Sequence, residues 1–280
     1  MRLSSGLLVA SVAAGLLSVA ATLLAMPAAS LQFNLAMLLA LLGYVLANRG
    51  VRRVRWAVAA GLGFLAVVVA MRLFWYQEQV DELGWLTSGQ GAAKTALLAR
   101  WREMIDREVL AALGLTLGVL CLAAGVLALP SRGRRRGVAT TVLALLLFAW
   151  FGLNFARRLG RYPLPDLLGT VWPALLAALV TMGALALSGW RADRRWLLPV
   201  GLVLLSLVAA DAYSDLAVAW SGWWVMAKPA DAFLETGVAV STSSEGFPQL
   251  SQAIEVAIAL AGAGLVAVGA LRSSREADAS

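Results

Sequence analysis

Asp211 and Asp215 are the residues whose type and spacing most suggest chemistry. Two carboxylates four residues apart lie on one face of a helix, and this pair falls near the end of a long apolar stretch, where ionisable groups are costly and often functional. Such a pair could bind a cation or share a proton. We favour a simpler interpretation, in which both residues cap a helix end among lipid headgroups, where charges are cheaply solvated. A binding site is the alternative.

Other charged residues are expected at a similar depth. Glu255 lies about one helical turn into the last apolar stretch, and Arg72 lies near the end of the third. Arg157, Arg158 and Arg161 follow the fifth stretch. Together these residues would form an outer-leaflet pocket of mixed charge, suited to a phosphorylated lipid headgroup, a zwitterion or a cation.

The residue types that are missing exclude several classes of chemistry. The chain contains no histidine and a single cysteine, Cys121. It therefore has no imidazole to ligate haem, to complete a histidine-containing zinc site or to act in a Ser-His-Asp triad. No stretch forms a catalytic motif, so we expect no cofactor, no metal site and no catalytic residue, and the interpretation leans away from an enzyme.

The elements that must position these residues are membrane helices. The 280 residues are 61% hydrophobic and 14% charged, with a mean hydropathy of +0.80, which exceeds the apolar share of soluble domains. The charges fall between apolar stretches long enough to cross a bilayer as helices. The sequence predicts an all-α, polytopic transmembrane helix bundle forming a single integral membrane domain. We expect about eight spans, at 6–25, 31–47, 55–75, 108–129, 137–155, 167–188, 196–216 and 251–271.

The distribution of positive charge predicts the orientation. The net charge is +7, but the arginines gather in short loops between spans, which is typical of membrane topology and not of nucleic-acid binding. We expect the protein in the cell (inner) membrane, with both termini cytoplasmic. The cytoplasmic set includes Arg49, Arg52, Arg53, Arg55, Arg132, Arg134, Arg135, Arg136, Arg191, Arg194, Arg195, Arg272 and Arg275.

A shift by half the chain length suggests an internal repeat. It places Gly61 on Gly201 and Arg55-Trp56 on Arg195-Trp196. The halves would be residues 1–136 and 137–280, each with four helices in the same orientation, which is a 4+4 parallel repeat. The longest outer loops are expected at about 76–107 and 217–250.

The span centres guide the functional hypotheses. They offer few polar groups, and small-residue faces such as those at Gly114, Gly118, Gly262 and Gly264 permit close packing within the chain or against another subunit. We favour a non-catalytic transmembrane subunit or anchor within a larger complex. The alternatives are a transporter or lipid-handling carrier with an outer-leaflet site, and a membrane enzyme acting on a lipid-linked substrate. The expected partners are the lipid bilayer, other membrane subunits and a lipid headgroup or cation, and not nucleic acid.

Overall fold

The parts of the chain that can be described come from a computed structural model. Its backbone is described for residues 2–48, 51–86, 93–129, 134–159, 164–191, 196–227 and 248–278. Side chains are described for 4–48, 51–76, 98–129, 137–157, 166–190, 196–227 and 249–273.

Eight α-helices make up these described segments, and each contains a stretch long and apolar enough to cross a membrane. The predicted all-α, polytopic membrane bundle with eight spans is therefore confirmed. The helices are α1 (Arg2–Leu23), α2 (Pro27–Ala47), α3 (Arg52–Leu86), α4 (Ala93–Leu127), α5 (Arg134–Leu159), α6 (Leu164–Arg191), α7 (Leu197–Ala227) and α8 (Pro248–Asp278).

Three helices extend well past the predicted spans. The ends of α3 and α4 occupy most of 76–107, and α7 continues to Ala227, so the two expected outer loops are shorter than the sequence suggests. In α4 the added turns carry ion pairs of i,i+4 spacing, Arg102–Asp106 and Glu103–Arg107, which stabilise a helix. Residues 87–92 and 228–247 lie outside the described residues.

The bundle has two buried clusters stacked along its length. We call the end where α2, α4, α6 and α8 finish the basic end, and the opposite end the far end. The buried residues of the cluster in the basic half come from seven helices, α2 to α8, and partly buried residues of α1 pack against them. The cluster in the far half draws its residues from α4, α5, α6 and α7. Among the described residues, α8 therefore belongs to the core at the basic end and leaves it towards the far end.

Helices α3 and α4 cross in backbone contact at a pair of glycines. A Cβ atom built on Gly61 would lie 2.8 Å from the carbonyl oxygen of Gly118, and one built on Gly118 would lie 3.2 Å from Leu65. Glycine at both positions lets the two helix axes approach to a distance that no other residue permits. The small-residue face at Gly118 is thus used inside the chain.

Helices α7 and α8 cross in the same way. A Cβ atom on Gly201 would lie 3.0 Å from the carbonyl oxygen of Gly262, and one on Gly262 would lie 3.2 Å from Leu205. Gly201 and Leu205 correspond to Gly61 and Leu65 by half the chain length, and Gly262 corresponds to Gly118 with one further helical turn.

These matched crossings are what a duplicated four-helix unit would produce. The contacts between halves do not share the symmetry, because α4 packs extensively on α6 whereas α8 touches α2 only slightly. Duplication of 1–136 as 137–280 stays a prediction.

Polar side chains near the span centres bond to helix backbone. Thr181 donates to the carbonyl oxygen of Ala177 at 3.0 Å, and Ser206 donates to that of Leu202 at 2.8 Å. Thr116 also lies 2.6 Å from the carbonyl oxygen of Pro173, which joins α4 to α6. These hydroxyl groups are satisfied by helix backbone, so they provide packing and not a polar midplane site.

The glycine crossings can be tested by single substitutions. We expect Gly61→Ala and Gly201→Ala each to lower the unfolding free energy by about 1–3 kcal/mol, because the added methyl group meets backbone atoms of the facing helix. The measurement is the unfolding midpoint in mild detergent. Gly63→Ala is the matched control, since a Cβ there has nothing within 4 Å. Equal midpoints for Gly61→Ala and Gly63→Ala would contradict the close crossing.

Candidate ligand-binding site

A cavity of about 440 Å³ lies in the far half of the bundle, between α5, α7 and α8. Its volume is within the range of small-molecule sites in proteins. Its walls combine aromatic, aliphatic and acidic side chains. The lining residues are Trp150, Phe151, Asn154, Leu207, Val208, Ala210, Asp211, Tyr213, Ser214, Glu255 and Ile258.

The cavity exists because α5 and α8 stay apart. Helix α5 packs against α6 and touches α7 only slightly, and its contact with α8 is marginal at most. Helix α8 packs on α7 along the basic half but adds no residue to the far cluster in the described chain. Trp150 on the α5 wall is 52% exposed. The cavity therefore opens sideways, between α5 and α8, towards the surrounding lipid.

The cavity is acidic at its far side and apolar below. Asp211 lies about 21 Å along α7 from Leu197, at 1.5 Å per residue, and a hydrocarbon layer is ~30 Å thick. One helical turn nearer the centre, the α7 wall consists of Leu207 and Val208. On α8, Ile258 likewise lies one turn below Glu255. This arrangement matches an amphiphile with its headgroup outward and its chain towards the membrane centre.

The predicted acidic residues converge on this cavity. Asp211, half-buried, and Glu255, exposed at its mouth, both line it. Asp215 lies one turn further along the same face of α7, within electrostatic range of Asp211. Because α7 continues to Ala227, Asp211 and Asp215 are inside a helix and do not cap its end, so the cap interpretation is wrong.

Arg72 forms an ion pair outside the cavity. Its guanidinium donates to the Glu108 carboxylate on α4 at 2.7 Å. Arg72 is not a lining residue of the cavity, although its charge and that of Glu108 act on Asp215. The positive charge expected within the pocket is thus held by a carboxylate outside it.

The predicted arginine trio is only partly described. Arg157 is exposed on α5, one turn beyond the lining residue Asn154, and forms no ion pair with a described carboxylate. The side chain of Arg158 and the whole of Arg161 lie outside the described residues.

Sequence reasoning missed three contributors. Glu108 belongs to no sequence motif, and its ion pair with Arg72 depends on how α3 packs against α4. Trp150 and Phe151 sit in the middle of an apolar stretch, and no signal in the sequence separates a cavity wall from a lipid-facing surface. Trp220 is also buried, at 1% exposure, and its ring stacks on Trp224 at a centroid distance of 6.2 Å.

The site resembles no metal centre in the part of the chain that the structure describes. No three acidic or cysteine side chains there come close enough together to hold a metal ion.

The fold and the cavity define the class of this chain as a multi-pass α-helical integral membrane protein with an acidic cavity in the far half. Comparison of the chain with protein-family models, curated proteins and solved structures finds no match.

The Arg72–Glu108 pair predicts a specific pattern of stability changes. We expect Arg72→Met to lower the unfolding free energy by about 1 kcal/mol, because it removes the partner of the Glu108 carboxylate while both side chains are nearly half exposed. The double variant Arg72→Met/Glu108→Gln should recover most of that loss, as measured by unfolding midpoints in mild detergent.

The control for this pair is Asp106→Asn, which breaks the i,i+4 pair with Arg102 within α4 instead of a pair between two helices. Pairs of this spacing contribute little, so the change should be within about 0.5 kcal/mol. Purely additive losses in the double variant would show that Arg72 and Glu108 are not coupled.

Proposed function

We propose that this membrane protein is a lipid-handling carrier that binds an amphiphile of the outer leaflet in the cavity between α5, α7 and α8. The observation that carries the proposal is a cavity that opens sideways between α5 and α8, with carboxylates towards the far end and apolar side chains towards the middle of the spans. A soluble ligand would need no lateral opening, whereas a lipid or single-chain amphiphile could enter directly from the bilayer.

The proposal includes an orientation. The loops at the basic end carry most of the arginines, and positive loops stay in the cytoplasm. The far end, with the cavity, would then face outward. Eight spans place both termini on the same, cytoplasmic side of the cell membrane.

The orientation is tested by reporter fusions. Green fluorescent protein fused after Ser280 should fluoresce, because that reporter matures in the cytoplasm, and alkaline phosphatase fused at the same position should be inactive. A reporter inserted between residues 87 and 92 should give the opposite result. Phosphatase activity at the C-terminus would overturn both the orientation and the outer-leaflet assignment.

The subunit hypothesis has lost part of its basis. It relied on small-residue faces left for another subunit, but Gly118 packs on α3, and Gly262 packs on Leu204 and Leu205 of α7. A larger complex remains the second candidate, since the exposed side of α5 carries Leu145 and Leu146, at 61% and 63% exposure. Such apolar side chains suit lipid equally well. A native mass that includes a stoichiometric second protein covering the α5–α8 opening would replace the carrier proposal with the subunit one.

The carrier proposal predicts the retention of an amphiphile. Protein released from nanodiscs of mixed phosphatidylethanolamine and phosphatidylglycerol into native mass spectrometry should carry one bound amphiphile. Val208→Trp, which fills the cavity wall, should reduce that occupancy roughly tenfold, equivalent to ~1.4 kcal/mol. Val67→Trp is the matched control, because Val67 on α3 is 55% exposed and does not line the cavity. Equal occupancy in both variants would reject the cavity as the binding site.

A further inference from the structure

We propose that the cavity selects amphiphiles whose headgroup is an amine or quaternary ammonium cation, bound by the carboxylates of Asp211 and Glu255. This inference rests on the carrier proposal and names the chemical class of its ligand.

The balance of charge around the cavity favours a cation. Near this depth the described helices carry the carboxylates of Glu108, Asp211, Asp215 and Glu255 and the guanidinium groups of Arg72, Arg107 and Arg157. Arg107 is paired with Glu103, and Arg157 is exposed and does not line the cavity. Arg72 is paired with Glu108 at 2.7 Å. Within the described chain, the other three carboxylates have no cation at ion-pair distance. Carboxylates in a membrane helix are normally paired, so a positively charged ligand would complete this group.

The two glycine crossings provide an independent comparison. Beyond the α3–α4 crossing, towards the far end, Arg72 on α3 supplies a cation to Glu108 on α4. Beyond the matching α7–α8 crossing, Asp211 on α7 and Glu255 on α8 occupy a similar level, and both are acidic. The first helix pair therefore contains its own cation, whereas the second presents carboxylates to a cavity. A ligand ammonium group would take the place that the guanidinium of Arg72 has in the first pair.

The other residues of the cavity wall favour an organic cation that carries an alkyl chain over an inorganic ion. Trp150 presents a half-exposed indole to the cavity, and aromatic faces attract ammonium groups. Below the carboxylates, Leu207, Val208 and Ile258 offer apolar surface, which an inorganic ion cannot use but an alkyl chain can. In the described chain, no group of three acidic or cysteine side chains could hold a metal ion.

The test compares probes that differ in one property. Purified full-length protein in dodecyl maltoside is titrated with dodecyltrimethylammonium chloride, with sodium dodecanoate, which has the opposite charge, and with tetramethylammonium chloride, which lacks the chain. Native mass spectrometry measures occupancy. We expect dodecyltrimethylammonium to bind at least tenfold more tightly than either of the other probes.

Variants identify the groups responsible. Asp211→Asn and Glu255→Gln, which preserve shape and remove charge, should each weaken dodecyltrimethylammonium binding about tenfold, and Val208→Trp should weaken it at least tenfold. Asp166→Asn is the matched control, because Asp166 is an exposed carboxylate at the far end of α6 that does not line the cavity. Its binding should equal that of the unaltered protein. Unfolding midpoints of all variants identify any that are misfolded.

The outcomes separate this inference from the carrier proposal. Equal affinities for the cationic and anionic probes, both lost in Val208→Trp, would overturn the headgroup selectivity and leave the carrier proposal standing. Tetramethylammonium binding as tight as that of the long-chain cation would assign the cavity to a small soluble cation and overturn the amphiphile. Unchanged affinity in Asp211→Asn/Glu255→Gln would remove both residues from the site. An amphiphile retained undiminished in Val208→Trp would overturn the carrier proposal itself.

Discussion

The close approach of helix backbones at paired glycines is the interaction on which the rest of this bundle depends. In a membrane, helices gain no hydrophobic energy by associating with one another, so they rely on close van der Waals packing. Gly201 and Gly262 bring α7 and α8 into such contact near the basic end. Once α8 is fixed there, its far half lies outside the far cluster, and the space between it and α5 becomes the cavity.

The same constraint determines where charge can lie. Mid-span polar groups are hydroxyls that bond to helix backbone, as Thr181 and Ser206 do, because water is not available there to satisfy them. Ionisable side chains in the described spans lie towards the two ends. Of those towards the far end, Arg72 pairs with Glu108, whereas Asp211 faces the cavity. The carboxylates that face the cavity thus lie where an external cation can reach them.

A second cluster of polar side chains towards the far end is satisfied by hydrogen bonds within the bundle. Ser18 on α1 bonds to the side chain of Asn34 on α2 at 2.5 Å and to that of Ser30 at 3.1 Å, and all three residues are buried. Thr22 joins them through Ser30 at 2.8 Å. These side chains form hydrogen bonds with one another between α1 and α2. Asp211 of α7 and Glu255 of α8 instead line the cavity.

The sequence by itself determined the class of the protein, the number of its spans and the residues that merit attention. Hydropathy over some twenty residues is a local property that reflects the cost of backbone in lipid, so eight helices could be predicted. Asp211, Asp215 and Glu255 stood out for the same reason, since an ionisable group in an apolar stretch is visible in one dimension. The sequence could not show which residue each ionisable side chain contacts.

Only the tertiary structure decided that Arg72 belongs to Glu108, that Trp220 is buried, and that Trp150 forms a cavity wall together with α7 and α8. It also decided that α7 runs on past Asp215 to Ala227. The reason is physical: every face of a membrane helix is apolar, so periodicity does not distinguish the side that meets lipid from the side that meets another helix. That choice depends on which small residues allow two backbones to touch, and it becomes visible only when the helices are packed.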